Sequence, residues 1–233
     1  MGQRKFAAHR CTGCGLHDEL CACAERPRLQ LDTAVLVIQN NHERNKPTNT
    51  ARILPQVLVN CELIYYAVRG VTFDPSPLLD PQRDYWLIFP RVLDPQGEAP
   101  KPAPVLDAQA IAARRATRPE ATPTIVLLDG TWAQCSRMSR RVPALAGMQA
   151  FSLPPGPPSH WGVRTASEPE RISTFEAAIR VLHLAEGPGP ARSMQVYFDR
   201  VAAAMLFMKA KLRSPAVPGH WIDERERRFG VGS

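Results

Sequence analysis

Thr124-Ile125-Val126-Leu127-Leu128-Asp129-Gly130-Thr131-Trp132 is the stretch whose reading decides the fold. Its first five residues form a short apolar, β-branched run bounded by turn-forming residues, the pattern of a strand buried on both faces. Asp129-Gly130 stops the strand and turns the chain. Thr131 can cap a helix, and the polar and apolar spacing behind it predicts that helix over 131–141. A buried strand that feeds straight into a helix is half of a βαβ unit.

The same alternation extends in both directions. Further strands are expected over 33–38, 63–68, 85–89 and 149–153. Helices are expected over 50–58, where Pro55 argues for a break or a late start, and over 107–118. Ser173-x-x-Glu176 is a capping box heading a helix to about 185. Gly187-Pro188-Gly189-Pro190 is expected to break it from a long helix over 191–212. Residues 223–228 mix three acids with three arginines and read as a solvated helix or tail. Strands alternating with helices imply an α/β fold, a mostly parallel sheet flanked by helices. In such sheets ligands sit beyond the carboxyl ends of the strands, which puts the Asp129 loop in a functional position.

Composition bounds the partners. The 233 residues suit one large domain with a small appendage, and a formal net charge of +7 favours a polyanion such as nucleic acid. The 23 prolines, about twice the average share, imply long loops. No apolar run is long enough to span a membrane, and 1–11 has basic residues without an apolar core, so a cytoplasmic protein is expected. The positive charge concentrates in 101–145 and 190–213, each with a local excess of four; the first includes Arg137, Arg140 and Arg141 behind Asp129. Those three are candidates for RNA phosphate contacts.

Four of the six cysteines, Cys11, Cys14, Cys21 and Cys23, read C-x2-C-x6-C-x-C. Four soft ligands on a tight, glycine-containing turn fit a closed structural Zn2+ site, with free thiols or a redox pair as the alternative. His9 and His17 are possible substitute or supporting groups. Cys61 and Cys135 stand alone and read as small buried residues.

Three segments carry candidate chemistry. Asp129 can orient a substrate or take a proton, Gly130 permits close approach, and Trp132 offers a flat stacking surface. The residues 40–52 form a loop with more polar side chains than a turn needs. In 171–178 the helix start could receive a carboxylate or phosphate. Each also has a plain structural reading as turn, solvated loop or cap. No dinucleotide-binding glycine motif, P-loop, zinc-protease motif or nucleophile elbow is present.

Together the segments resemble the DTW-domain family, the tRNA-uridine aminocarboxypropyltransferases. The resemblance rests on Asp129-Gly130-Thr131-Trp132, the leading cysteine cluster, Asn49-Thr50 after the first strand and Ser173-Thr174-Phe175-Glu176-Ala177, in that family's order over roughly 11–212. Phe89-Pro90-Arg91-Val92 resembles its Phe/Tyr-Pro segment but departs after the proline. The resemblance implies a SPOUT-like fold with a knuckle over 1–30, a catalytic domain over 31–213 and a tail over 214–233. It also implies transfer of the 3-amino-3-carboxypropyl group of S-adenosylmethionine to N3 of a tRNA uridine, releasing methylthioadenosine. Asp129, Thr131 and Trp132 are the expected catalytic set, with Asp129 as base or orienting acceptor. Pro90, Asp129, Gly130, Ser173, Thr174 and Glu176 are expected at the S-adenosylmethionine. His42, Lys46, Asn49, Thr50, Arg52, Arg137, Arg140 and Arg141 are expected toward tRNA. Competing expectations are a SPOUT-type RNA methyltransferase, a ribosomal-RNA aminocarboxypropyl transferase and a non-catalytic zinc-containing RNA-binding protein.

Overall fold

The computed structural model describes residues 9–91, 101–163 and 172–230. Five strands, β1 (Ala34–Asn40), β2 (Cys61–Tyr66), β3 (Arg83–Ile88), β4 (Thr122–Asp129) and β5 (Gln149–Phe151), form one sheet in the order β2-β1-β4-β3-β5. Every pairing is parallel. Among the described residues the α-helices are α1 (Leu54–Val57), α2 (Ala108–Thr117), α3 (Trp132–Arg141), α4 (Pro143–Ala146), α5 (Thr174–Glu186), α6 (Pro188–Met208) and α7 (Gly219–Phe229).

Both sheet faces are buried, as apolar strands without alternation require. Val35, Val37, Trp86, Ile125 and Leu127 pack on one face with α1, α2, α5 and α6. Leu36, Ile38, Leu87 and Val126 pack on the other with Met138 of α3 and Leu145 of α4. The predicted strand–turn–helix at Asp129 is present, with Thr131 as the α3 N-cap.

The departures from expectation lie at element ends. β1 continues through Gln39 and Asn40, because Gln39 pairs in register with Asp129 and so stays inside the sheet. β2 ends at Tyr66, where Ala67 enters the left-handed region at φ 62°. The segment expected as one helix over 50–58 is a 3-10 turn, Ala51–Ile53, followed by α1 with Pro55 in its first turn. The expected break at Gly187-Pro188-Gly189-Pro190 is one residue, Gly187 at φ 84°. Pro188 already sits in the first turn of α6, where a missing N–H costs nothing.

The C-terminal segment is a correction: 219–229 is neither a tail nor a solvated helix. Trp221 and Phe229 of α7 are buried, and Arg225 reaches Asp199 of α6 at 2.9 Å. The apolar residues flanking the charged run, rather than the run itself, dock the helix. The cysteine knuckle likewise shares the main core, since Cys14, Leu16 and Ala22 are buried in the same cluster as α5 and α6. Among the described residues no helix is long and apolar enough to cross a membrane. Residues 1–8, 92–100, 164–171 and 231–233, which include Pro95, Pro100 and Arg171, lie outside the described residues.

Candidate functional site

The site begins with a carboxylate inside the protein. Asp129 ends β4 and is only 4% exposed. Its Oδ2 accepts from Gln39 Nε2 at 2.9 Å and Asn49 Nδ2 at 2.6 Å; its Oδ1 accepts from the Thr174 hydroxyl at 2.6 Å. Gln39 Nε2 also reaches Asn49 Oδ1 at 2.9 Å. One carboxylate therefore joins β1, the 41–50 loop, β4 and the start of α5. Charge-assisted bonds of this kind are roughly twice as strong as neutral ones.

Above this hub, at the carboxyl ends of β3, β4 and β5, lies an open groove of about 910 Å³. Phe89, Pro90, Leu128, Gly130, Phe151 and Leu153 line it from the sheet side. Trp132 and Ser136 of α3 form one bank, and Ser173, Thr174, Ala177 and Arg180 of α5 form another. Thr174, Ala177 and Arg180 recur every three residues, which places them on one helix face. Trp132 is 41% exposed, and its ring centroid lies 6.2 Å from that of Phe89 at 40°. Asp129 itself does not line the groove.

Two helices start at this groove. Thr131 caps α3 in a reciprocal box with Gln134, and Ser173 caps α5 in one with Glu176. On α5 the Ser173 N–H goes to Glu176 Oε2, that of Phe175 to Thr50 Oγ1 and that of Glu176 to Ser173 Oγ. Among the described residues, only the Thr174 N–H of this turn is left without a partner. A helix N-terminus with an available N–H favours an anionic group.

Glu176 is buried, with both oxygens filled. Oε1 accepts from the His160 N–H at 2.8 Å, and Oε2 from the Ser159 hydroxyl at 2.7 Å and the Ser173 N–H at 2.8 Å. It therefore ties the proline-rich strap 154–158 to α5 and does not line the groove. His160, at the end of that strap, bonds Asp199 at 2.9 Å, stacks on Trp221 at 4.1 Å and lies 3.8 Å from Glu224. Burial opposes charge on the ring, but the Asp199 bond together with Asp199, Glu224 and Glu176 raises its pKa above the usual histidine value.

The residues expected toward RNA divide into three groups. His42, Lys46, Arg137, Arg140 and Arg141 are exposed. Lys46 is paired with buried Glu43 at 2.6 Å, whereas no ion pair holds the three α3 arginines among the described residues. Asn49 and Thr50 are buried and committed to Asp129 and α5, so their side chains cannot meet an RNA surface. Arg52 donates to the Thr12 carbonyl, clamping the knuckle to the loop.

In the knuckle, the four sulfurs of Cys11, Cys14, Cys21 and Cys23 lie within 4.8 Å of one another, with Cys11–Cys23 at 3.5 Å and Cys14–Cys21 at 3.9 Å. A tetrahedral Zn–S site has sulfur–sulfur edges of about 3.8 Å, so the donor set fits such an ion and could hold one. Burial and neighbouring cysteines push the Cys23 thiol up to about 12. For Cys11 burial is outweighed by hydrogen bonds from Cys14, Cys21 and Cys23, which bring it down to about 7. A Cβ on Gly13 would lie 2.8 Å from Cys23 Sγ and 2.9 Å from Gln56 Oε1, so only glycine leaves room there. Burial pushes the Cys61 and Cys135 thiols to about 12 as well, consistent with inert packing.

A family model described as the DTW domain matches residues 8–206. The chain belongs to the DTW-domain family. That family is known in tRNA modification, and the match spans the knuckle, the sheet and both groove-forming helices. No solved structure matches the chain. Within this DTW domain the motif residues divide by role: Asp129 faces inward, Gly130 and Trp132 line the groove, and Thr131 caps the helix between them. Sequence reasoning missed Gln39, left outside the strand expected over 33–38, because its importance follows from pairing with Asp129 across two strands. It also missed Arg180, whose helical spacing from Thr174 was the available signal.

Proposed function

We propose that this DTW domain transfers the 3-amino-3-carboxypropyl group of S-adenosylmethionine to N3 of a tRNA uridine, releasing methylthioadenosine. The observation that carries the reading is the groove over the Asp129 hub. It is large enough for a nucleoside cofactor with a flat base beside it, it has an exposed indole on its wall, and two helix N-termini open onto it. The Thr174 N–H, without a partner among the described residues, and the Ser173 cap suit the carboxylate of the methionine moiety. Phe89, Pro90 and Trp132 supply surfaces for flat rings. The cofactor supplies an electrophilic carbon next to a sulfonium that departs as a neutral thioether, so the leaving group needs no acid.

The chain's own contribution is placement. Asp129 works as an orienting acceptor: it fixes Thr174 and the loop against β4 and so sets the position of the α5 start. Its two oxygens already take three hydrogen bonds from Gln39, Asn49 and Thr174. Among the described residues no carboxylate or imidazole lines the groove, and water at its open mouth can take the N3 proton. Rate enhancement then comes from holding N3 in line with the reacting carbon. Arg137, Arg140 and Arg141, on the helix that carries Trp132, are placed to meet backbone phosphates. The four cysteines would hold a structural Zn2+, which would brace the loop behind Asp129.

By-product identity tests the chemistry. Methylthioadenosine released with tRNA present supports aminocarboxypropyl transfer, whereas S-adenosylhomocysteine would assign the chain to methyl transfer.

A further inference from the structure

The strap 154–158 separates the groove from a second, smaller notch. Pro157, Pro158 and Arg180 line both spaces, and the notch adds Glu224 and Arg228. Its room of about 20 Å³ holds one water or one ligand oxygen. Arg180 lies under the strap. It donates to the Pro157 carbonyl at 2.6 Å, and a Cβ on Gly156 would sit 2.8 Å from its Cζ, so glycine is what lets the backbone lie on the guanidinium. Its Nε is buried with no hydrogen-bond partner. Arg228, from α7, lies over the Phe229 ring at 4.7 Å.

Positive charge exceeds negative among the side chains lining the notch, with Arg180, Arg225 and Arg228 against Glu176 and Glu224. Among the described residues no carboxylate comes within ion-pair distance of Arg180 or Arg228. The nearby acids are committed elsewhere: Glu176 to Ser159, His160 and Ser173; Asp199 to His160, Gln195 and Arg225; Glu224 beside His160. Burial lowers the pKa of both guanidiniums and the Arg180 charge lowers that of Arg228 further, against the opposing pull of Glu176 and Glu224 on both. Two partly buried guanidiniums at one notch, neither held in an ion pair among the described residues, form a receptor for an oxyanion.

We propose that Arg180 and Arg228 seat a backbone phosphate of the RNA substrate next to the target nucleotide. The inference rests on the RNA-modifying reading above. A phosphate is favoured over the methionine carboxylate by position. That carboxylate has a receptor inside the groove at Thr174, whereas the notch lies past the strap, where a polymer continues and a small cofactor does not. Arg228 also lies beyond residues 8–206, so the contact would be an addition made by the C-terminal helix to the matched domain.

The test uses the full-length chain. Filter binding of tRNA across a salt series is measured for the wild type, R228Q and R180Q, with S-adenosylmethionine affinity measured in parallel. R228Q is expected to weaken tRNA binding and to lower the salt slope by about 0.7–0.9, the loss of one phosphate contact, with cofactor affinity unchanged. An unchanged slope in R228Q, while R137E/R141E lowers it, would overturn the notch and leave the functional reading standing. A loss confined to cofactor affinity would overturn it in favour of carboxylate binding. Should R228Q or R180Q not fold, inorganic phosphate decides on the wild type. It should raise the thermal midpoint above that in chloride at equal ionic strength, and no such rise overturns the proposal. A wild type that binds no tRNA defeats the RNA reading itself, while the phosphate arm still reports on the notch.

Discussion

At the scale of single residues, Asp129 separates two kinds of role that one motif can hide. Alanine there leaves Gln39, Asn49 and Thr174 donors unpaired in a buried place, so Asp129→Ala is expected to cost about 2–4 kcal/mol in urea denaturation. Asparagine keeps an oxygen for the two amides and offers its NH2 to the Thr174 hydroxyl, which can turn to accept. Asp129→Asn should therefore cost about 1 kcal/mol and reduce transfer by no more than about tenfold. A loss of roughly 10²–10⁴-fold in a stably folded Asn variant would instead mark Asp129 as the base. The Asp129 loop was legible in the sequence because a buried strand must end somewhere and Asp-Gly says where. The inward direction of the carboxylate was not legible. It follows from the β1–β4 register that sets Gln39 opposite, a long-range fact that local patterning does not encode.

At the scale of elements, caps and cores explain what was readable. The capping box expected at Ser173 with Glu176 rests on local spacing and formed; Thr131, expected only as a cap, forms a second box with Gln134. α7 was misread because its middle is charged, while its hold on the fold comes from Trp221 and Phe229 at its ends and from His160 across the gap. That last contact has a pH signature. The folded pKa of His160 is raised, so the stabilisation from its contacts with Asp199 and Glu224 is fully present below the unfolded value near 6.5. It is lost as pH rises through the higher folded value. His183 works in the opposite direction, since burial and Arg228 depress its pKa. Comparing wild type with His160→Gln isolates the first effect. The stability difference between them should be largest near pH 6 and shrink toward pH 8; a difference independent of pH would remove His160 as a charged link between strap and helix.

At the scale of the whole molecule, the knuckle and the basic face decide how site and partner are connected. The knuckle is part of the main core through Leu16 and Ala22 and is clamped to the site loop through Arg52. Metal removal by a chelator should thus lower the thermal midpoint of the entire chain in one transition. Gly13→Ala, which crowds Cys23, should reproduce this without chelator. Two separated transitions would show the knuckle to be an independent unit. Charge reversal at Arg137 and Arg141 should weaken tRNA binding across all sequences and flatten its salt dependence, because phosphate contacts release counterions. An unaltered slope would make that helix face merely solvated. The α/β class and the parallel sheet were legible at this scale from strand–helix alternation. The order β2-β1-β4-β3-β5 was not, since strand adjacency is a tertiary choice. The central claim is tested most directly by incubating the purified chain with bulk tRNA and S-adenosylmethionine labelled in its aminocarboxypropyl carbons, followed by nucleoside mass spectrometry. The account predicts label and the matching mass gain on uridine; label absent from uridine, with tRNA otherwise bound, would contradict it.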